Sequence, residues 1–233
     1  MCRNRFWIKD FASAFKDALP LMFGLIPFGL AYGILSRHVG LTWPESFLMS
    51  LAVFAGASQF SALSLMQNGI EAGLIVFTTF LINMRHFLMS ASLAPYLRDQ
   101  GFARRALLAF GIADESYALS ITRFMRTGSS WSYLLGANSA IYVAWALTSG
   151  AGALLSGLIT DPLKWGLDFA MPATFMVLLV PQLKSWKEFS VCAISATTAV
   201  IGSAYLPGKW FIIIATLAAI SHGWIVETVC DRK

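Results

Sequence analysis

Asn83, Arg85 and His86 lie inside a long apolar stretch, residues 70–97. A charge at the centre of a bilayer costs between about 2.5 and more than 10 kcal/mol, so it persists only beside a partner or a wet cavity. A guanidinium can hold a carboxylate through two charge-assisted hydrogen bonds, and an imidazole can exchange protons near neutral pH. The pattern therefore indicates either a binding site for a carboxylate-bearing substrate or structural pairing of Arg85 with a buried acid. For His86 the alternatives are proton relay and hydrogen-bonded packing.

Acidic side chains in two later apolar stretches are the candidate counter-charges of Arg85. Asp114 and Glu115 are adjacent, and Asp168 precedes Pro172 by four positions. Adjacent side chains on a helix point about 100° apart, so two neighbouring carboxylates cannot face one partner. We therefore expect one acid of the pair to bind Arg85 and the other to face a cavity or to titrate.

Two earlier stretches carry residues that would interrupt a helix or bring another helix close. Pro27 removes a backbone donor that lipid cannot replace. Gly29 and Gly33 form a step of small residues that permits close approach of another helix. Gln59 follows a run of small residues in the second stretch. Because interrupted helices indicate transporter binding sites, Pro27, Gly29 and Gln59 are candidate substrate-binding residues, with a packing kink and ordinary interhelical hydrogen bonding as the alternatives.

The composition requires a membrane. Apolar residues make up 57% of the 233 residues and charged residues 12%, whereas soluble domains carry about 25% charged residues. The net charge of +5 is spread between apolar stretches without a basic cluster, which excludes a nucleic-acid interface. The spacing of the three cysteines predicts neither a metal site nor a disulfide framework, and no motif predicts a cofactor.

The elements that position these residues are predicted to be transmembrane helices, since about 20 apolar residues span the hydrocarbon. We predict an all-α, polytopic integral membrane protein with eight spans, or seven, some of them kinked or discontinuous. The third span is either one tilted helix or two half-helices broken around residues 83–86. The predicted spans lie near 18–36, 47–67, 70–97, 104–124, 132–157, 165–181, 189–206 and 210–229.

Residues 1–17 contain no span, but Trp7, Phe11 and Phe15 recur at helical spacing among basic residues. This pattern predicts a cytoplasmic, interfacial amphipathic helix ahead of one transmembrane domain, residues 18–233. A cleaved signal peptide is the alternative, although the apolar run that follows is too long for one. The Lys and Arg distribution over eight spans favours cytoplasmic termini. The group formed by Arg98, Arg104 and Arg105 then falls on the wrong side.

Five motifs occur in order between about Ala18 and Trp224, and together they resemble the AzlC family, the large subunit of bacterial branched-chain amino acid exporters of the AzlC/AzlD type. The motifs are Pro27-Phe28-Gly29, Gly56-Ala57-Ser58-Gln59, Asn83-Met84-Arg85-His86 with Ser90 and Pro95, Asp114-Glu115, and Asp168 through Pro172 and Phe175 to Pro181.

The resemblance implies export of leucine, isoleucine, valine and also methionine across the bacterial inner membrane, with a small membrane subunit of the AzlD type as partner. On that basis we expect a substrate site that holds a carboxylate, an ammonium and an aliphatic side chain, and coupling to protons. The candidate substrate-binding residues are Arg85, Asn83, Gln59, Pro27, Gly29 and Asp168. The candidate proton-coupling residues are Asp114, Glu115 and His86.

Two other classes of function remain to be weighed against an exporter. The chain lacks the His-Glu-x-x-His and Gly-x-Ser-x-Gly motifs, so an enzyme is disfavoured. It also lacks a nucleotide-binding Gly-Lys-Ser/Thr loop, so ATP would have to act through another subunit. A channel or a structural subunit of a membrane complex is the alternative to a carrier.

Overall fold

A computed structural model describes residues 2–158, 183–205 and 210–230, with a few single positions between 159 and 182. The described residues form helices joined by turns, which confirms the prediction of an all-α, polytopic membrane protein. The helices are α1 (Cys2–His38), α2 (Trp43–Val53), α3 (Gly56–Gln67), α4 (Ala72–Leu93), α5 (Phe102–Phe110), α6 (Asp114–Thr127), α7 (Trp131–Leu155), α8 (Trp186–Tyr205) and α9 (Trp210–Cys230). The chain divides into two compact units, Met1–Pro172 and Ala173–Lys233.

Within the described part of the chain, three helices, all in the first unit, are long and apolar enough to cross a membrane. Two of them continue into short 3₁₀ turns, Ala94–Leu97 after α4 and Ser156–Leu158 after α7. The crossing segments cover Trp7–His38, Ala72–Leu97 and Trp131–Leu158. At about 1.5 Å per residue each exceeds the roughly 30 Å of hydrocarbon.

Helix α1 is continuous from Cys2 to His38, through Pro20 and Pro27. The residues expected to form a separate interfacial helix are therefore the first turns of the same helix that crosses the membrane. Proline is tolerated within transmembrane helices where neighbouring groups satisfy the freed carbonyl. Neither proline breaks α1, and the interfacial location of its first turns stays a prediction.

Helices α1 and α7 pack side by side in the same direction. Near their first residues the rings of Trp7 and Trp131 lie 5.2 Å apart. Near their last residues the backbones approach so closely that a Cβ atom on Gly33 would lie 2.1 Å from the carbonyl oxygen of Ser149. This contact confirms the close helix approach predicted from Gly29 and Gly33.

Helices α2 and α3 form a hairpin that enters the first unit and turns back; we call residues 43–67 the first hairpin. Along α2, Trp43 donates to the carbonyl of Gly150 while the carbonyl of Leu51 accepts from Tyr142, so α2 runs opposite to α7. Gln59 of α3 then donates to Ser50 of α2 at 3.3 Å. On one straight helix, two groups nine residues apart would be separated by about 13 Å. The short contact therefore means that the chain reverses between α2 and α3.

The first hairpin starts and ends with defined local signals. Thr42 and Glu45 form a capping box, in which the Glu45 carboxylate accepts from the Thr42 amide at 2.7 Å and Thr42 caps the first turn of α2. Gly40 at φ +104° and Gly69 at φ +67° supply the left-handed turns on either side. The reversal itself occurs at Phe54, which has φ 43° and ψ 48°. Among the described residues Phe54 alone has a positive φ without being glycine.

Helices α5 and α6 form a second hairpin, residues 102–127, which enters from the opposite end. Arg104, in the first turn of α5, lies over the ring of Trp131, 4.3 Å from its centroid. Trp131 follows α6 by only a short turn, so the start of α5 and the end of α6 lie at the same end of the unit. Phe124 near the end of α6 also contacts Tyr96, just after α4, with ring centroids 5.4 Å apart.

These hairpins correct two of the predicted spans. Residues 47–67 and 104–124 do not form single crossing helices, because each segment breaks at its middle and returns. Conversely, the third predicted span contains no break, since α4 runs uninterrupted past residues 83–86. An apolar stretch of about 20 residues satisfies the length criterion equally as one crossing helix or as two short arms.

In the second unit, α8 and α9 pack against each other and coincide with the predicted spans 189–206 and 210–229. Ser190 hydrogen-bonds His222 at 3.0 Å. Gly223 faces Val191, and a Cβ added to the glycine would lie 3.6 Å from it. Most of the predicted span 165–181 lies outside the described residues.

Candidate functional site at the two hairpin tips

The tips of the two hairpins meet on α7. The ring of Tyr142 lies 4.7 Å from that of Phe54, at the first tip, and 6.3 Å from that of Phe110, at the second. The Tyr142 hydroxyl also donates to the carbonyl of Leu51 at 2.8 Å. Because Tyr142 lies near the middle of α7, the tips meet near the middle of the membrane.

Three α7 side chains on one helical face bind the broken helix ends; we call Asn138, Tyr142 and Trp145 the α7 stripe. Asn138 donates to the carbonyl of Leu108 near the end of α5 at 2.8 Å. Trp145 donates to the side-chain oxygen of Gln59 in α3 at 3.0 Å. Together with the Tyr142 bond, these contacts satisfy groups for which lipid offers no partner.

Glycine at each tip leaves room for the α7 stripe. A Cβ atom on Gly56 would lie 3.0 Å from the Trp145 ring, and one on Gly111 would lie 3.0 Å from the Asn138 amide nitrogen. The sequence analysis missed the α7 stripe. Its signal is the spacing of three hydrogen-bonding side chains at steps of four and three within an apolar span, which places them on one face.

The tip of the second hairpin carries the charges of the site. Arg85 of α4 donates from Nη1 to Oδ2 of Asp114 at 2.5 Å, and the two side chains are 26% and 38% exposed. The neighbouring His86 places Nδ1 3.0 Å from the carbonyl oxygen of Ile112. Arg85 is therefore paired with an acid, which was one of the two interpretations of this residue. Through Arg85 and His86, α4 contacts the second tip.

Several buried polar atoms around α4 and the second tip have no hydrogen-bond partner among the described residues. They are Asn83 Oδ1, Arg85 Nε, His86 Nε2 and Asn138 Oδ1. A buried unpaired polar group costs about 1–3 kcal/mol, so such atoms indicate where water or a ligand binds. The half-buried carboxyl of Glu115 also makes no ion pair with any residue in the described ranges.

The tip of the first hairpin is neutral. Helix α3 begins at Gly56 without a side-chain cap, and Ala57 and Ser58 of its first turn are buried. Gln59 is fully engaged, because its oxygen accepts from the amide of Ala55 at 3.3 Å as well as from Trp145. The first amides of a helix have no intrahelical acceptor and lie at the positive end of its dipole. This tip therefore offers donors to an anion, whereas the first turn of α6 contains Asp114 and Glu115.

The structure separates the other predicted site residues. Gln59 lies at the first tip, whereas Arg85, His86 and the two acids gather at the second, with Asn83 one helical turn away on α4. Gly29 packs against Thr148 of α7, where an added Cβ would lie closer than any normal contact. Pro27 lies on the exposed surface of α1. These two residues are thus at the surface and at the α1–α7 contact rather than at the tips, and Asp168 lies outside the described residues.

A separate cavity of about 1050 Å³ lies in the second unit between α8 and α9. Its lining is largely apolar, with Lys184, Lys187 and Glu227 among the polar residues. Among the residues that the structure describes, no predicted substrate-binding residue lines it. We therefore place the candidate site at the hairpin tips and not in this cavity, because the tips hold both the charges and the unpaired polar atoms.

Comparisons with known proteins agree on one family. Residues 20–159, from α1 through both hairpins to α7, match the profile of the AzlC protein family. The "Inner membrane protein YgaZ" of Escherichia coli (strain K12) is 28% identical over 94% of this chain and 90% of its own length. The "Branched-chain amino acid transport protein AzlC" of Bacillus subtilis (strain 168) is 29% identical over 94% of this chain and 85% of its length. An "Uncharacterized membrane protein" of Archaeoglobus fulgidus is 30% identical over 89% and 91%, respectively. No solved structure matches the chain.

Proposed function

This chain belongs to the AzlC family, and from that premise we propose that it exports leucine, isoleucine, valine and also methionine across the bacterial inner membrane. Membrane transport of branched-chain amino acids is the role that the family and the Bacillus subtilis relative suggest. The observation that carries the proposal is the meeting of two hairpin tips at Tyr142, one of them neutral and the other carrying charged side chains. A zwitterion with an aliphatic side chain matches such a pair of tips.

The substrate carboxylate binds the uncapped first turn of α3. Its amides point away from the helix and its dipole favours an anion, as in transporters built from discontinuous helices. The ammonium binds Glu115, with Asn83 as a further acceptor. The aliphatic side chain lies against Phe54 and Phe110, whose rings flank Tyr142.

Arg85 has two roles in this proposal. Its Nη1 atom neutralises Asp114, which leaves Glu115 as the carboxylate free to bind a cation. Its buried Nε atom has no partner within the described ranges and is available to the substrate carboxylate or to water. Asp168 stays a candidate substrate-binding residue from the sequence.

Protons drive export through Glu115. A carboxyl without an ion pair can bind either a proton or the substrate ammonium, so one site exchanges the two. His86 and the paired Asp114 lie beside it at the second tip and relay the proton, because the His86 Nε2 atom is unbonded among the described residues.

Both termini lie in the cytoplasm in this proposal, with the first turns of α1 at the inner surface of the membrane. Because α5 and α6 form a hairpin, the loop before α5 and the loop after α6 lie at one end of the first unit. The first residues of α1 and α7 lie at the same end. The positively charged residues at that end are Lys9, Lys16, Arg98, Arg104, Arg105, Arg123 and Arg126, whereas Arg37 lies at the other. This asymmetry supports a cytoplasmic location. It also removes the exception that eight spans created for Arg98, Arg104 and Arg105.

A small membrane subunit of the AzlD type completes the transporter. Helix α4 offers a surface for such a partner or for lipid, because Phe80, Phe87 and Leu88 are at least 60% exposed. Dependence of transport on the partner is part of the test below.

Counterflow of labelled leucine into proteoliposomes tests the proposal, with and without a co-purified AzlD-type subunit. We expect unlabelled leucine, isoleucine or valine inside the vesicles to accelerate uptake of labelled leucine, whereas arginine inside does not. Liposomes without protein are the control. Ion conductance without trans-stimulation would instead identify a channel. Absence of both activities, with and without the subunit, would reject transport by this chain.

A further inference from the structure

We propose that the α7 stripe sets the distance between the two hairpin tips and thereby decides which aliphatic side chain the substrate carries. This proposal rests on the proposed transport function and names the residues that determine its specificity. Asn138, Tyr142 and Trp145 are positioning residues, because they act through the tips and not through the substrate.

The first argument is the division of contacts between the two tips. Asn138 holds the end of α5 through the carbonyl of Leu108, at 2.8 Å. Tyr142 holds the end of α2 through the carbonyl of Leu51, at 2.8 Å. One straight helix therefore fixes the position of both tips, although they enter from opposite ends of the first unit.

The second argument is the closeness of the packing. A Cβ atom at position 56 would force Trp145 to shift by a few tenths of an ångström, and one at position 111 would force a similar shift of Asn138. Glycine is therefore the largest residue that fits at either position without such a shift. Tips packed this tightly move when a stripe side chain changes. Asn138 and Trp145 are only 3% and 4% exposed, so bulk solvent has little access to their contacts.

The third argument is the place of the aromatic rings. Phe54 and Phe110 each contact the Tyr142 ring, so the position of these two rings relative to each other depends on both tips at once. The proposed function places the substrate's aliphatic side chain against the two rings. A displacement of either tip then alters the fit of leucine relative to the smaller valine.

Two variants act on different tips and are expected to alter the same selectivity. Tyr142→Phe removes the bond to Leu51 and keeps the ring, whereas Asn138→Leu removes the bond to Leu108 and keeps the size. For each we expect the ratio of kcat/KM for leucine to that for valine to change about three- to tenfold, the range for loss of one hydrogen bond. Tyr133→Phe is the matched control. The Tyr133 hydroxyl also donates at 2.8 Å, but to Asp17 of α1, away from the tips.

The readout separates positioning from general support of the fold. A residue that only stabilises the fold lowers the amount of active protein and hence the maximal rate, but leaves KM and the leucine-to-valine ratio unchanged. An unchanged ratio in both variants, or an equal change in Tyr133→Phe, overturns the proposal.

A second measurement does not depend on transport. In a chain whose three native cysteines are replaced, Phe54→Cys or Phe110→Cys is labelled with a membrane-permeant maleimide. We expect Tyr142→Phe to raise the labelling rate several-fold at position 54, which is 5% exposed, and Asn138→Leu to change it at position 110, which is 54% exposed, each relative to Tyr133→Phe. Unchanged labelling at both positions overturns the proposal. If no amino acid is transported but labelling changes as expected, the proposed function fails while the role of the α7 stripe in placing the tips holds.

Discussion

The two hairpins share one backbone design and differ in how their tips are neutralised. The first tip makes its side-chain hydrogen bonds among uncharged groups, through Gln59, Ser50 and Trp145. The second tip carries two acids and depends on a cation from a different helix, Arg85 of α4. At both tips an α7 side chain binds a backbone carbonyl near the break, and only the second tip adds an ion pair. At the second tip, Glu115 forms no ion pair with any residue in the described ranges.

In the proposed function this difference gives the two tips separate tasks. The first amides of α3 at the neutral tip bind the substrate carboxylate, and the extra carboxyl of the second tip binds a proton or the substrate ammonium. Substitutions that remove a charge from the second tip or add one to the first are therefore the most direct tests of this difference between the tips.

Breaking the ion pair of the second tip is expected to have the largest effect. Arg85→Ala leaves the Asp114 carboxylate half-buried without a partner. Loss of one partner of a buried pair costs about 3–5 kcal/mol, and partial exposure of this pair reduces that to about 2 kcal/mol. We expect transport to fall at least about thirtyfold, measured as leucine counterflow per inserted protein.

A double variant separates the two roles of Arg85. Arg85→Met with Asp114→Leu removes both charges, so thermal stability in detergent is expected to recover while transport stays low. Wild-type counterflow in Arg85→Ala would contradict a role of this pair in the site.

Exchanging the charge character of the tips is expected to have the next largest effect. Glu115→Gln should abolish acceleration of leucine efflux by an imposed pH gradient, because the amide cannot take up a proton. Gln59→Glu should raise KM for leucine about tenfold, because a carboxylate at the neutral tip repels that of the substrate. Initial rates with and without a pH gradient provide both values. Full pH-driven efflux in Glu115→Gln, or an unchanged KM for leucine in Gln59→Glu, would contradict the separate tasks of the two tips.

A methyl group added at either tip is expected to lower the stability of the protein moderately, and by the same amount at both tips. Gly56→Ala and Gly111→Ala each force a shift of a stripe residue, and overpacking of this kind costs about 1–3 kcal/mol. Gly73→Ala in α4 is the control, because an added Cβ there meets nothing within 4 Å. Thermal unfolding in detergent measures the difference. A cost at one tip only would show that the α7 stripe holds the two hairpins unequally.

Cysteines in the turns are expected to leave transport unchanged while they reveal the direction of each hairpin. Asn68→Cys follows the first hairpin and Gln100→Cys precedes the second. A membrane-impermeant maleimide added outside cells is expected to label position 68 and not position 100. Ser129→Cys, after the second hairpin, should behave like position 100. Labelling of 100 and 129 from opposite sides would restore a crossing helix at 104–124.

Much of the chemistry of the site was predictable from the sequence, because a charge in an apolar stretch requires a partner. The Arg85–Asp114 pair was one of the pairings expected from that rule. The path of the chain was less predictable. Hydropathy measures the length of an apolar stretch, and a returning hairpin has the same length as a crossing helix.

The positions of the breaks could not be predicted from local residue types. Pro20 and Pro27 favour an interruption of α1, yet packing on α7 keeps that helix continuous. The true breaks occur at Phe54 and around Gly111, where the decisive contacts come from residues 138–145. The misplaced charges of Arg98, Arg104 and Arg105 were the available signal, since a hairpin at 104–124 places them beside the other basic loops.

The contact between α1 and α7 has a mechanical consequence. Backbone meets backbone at Gly33 and again at Gly152, where an added Cβ would lie 2.2 Å from the carbonyl oxygen of Leu30. No layer of side chains separates the two helices there, so they cannot slide past one another without a clash. The two helices therefore act as one rigid element, and the side chains that contact the two hairpin tips extend from it.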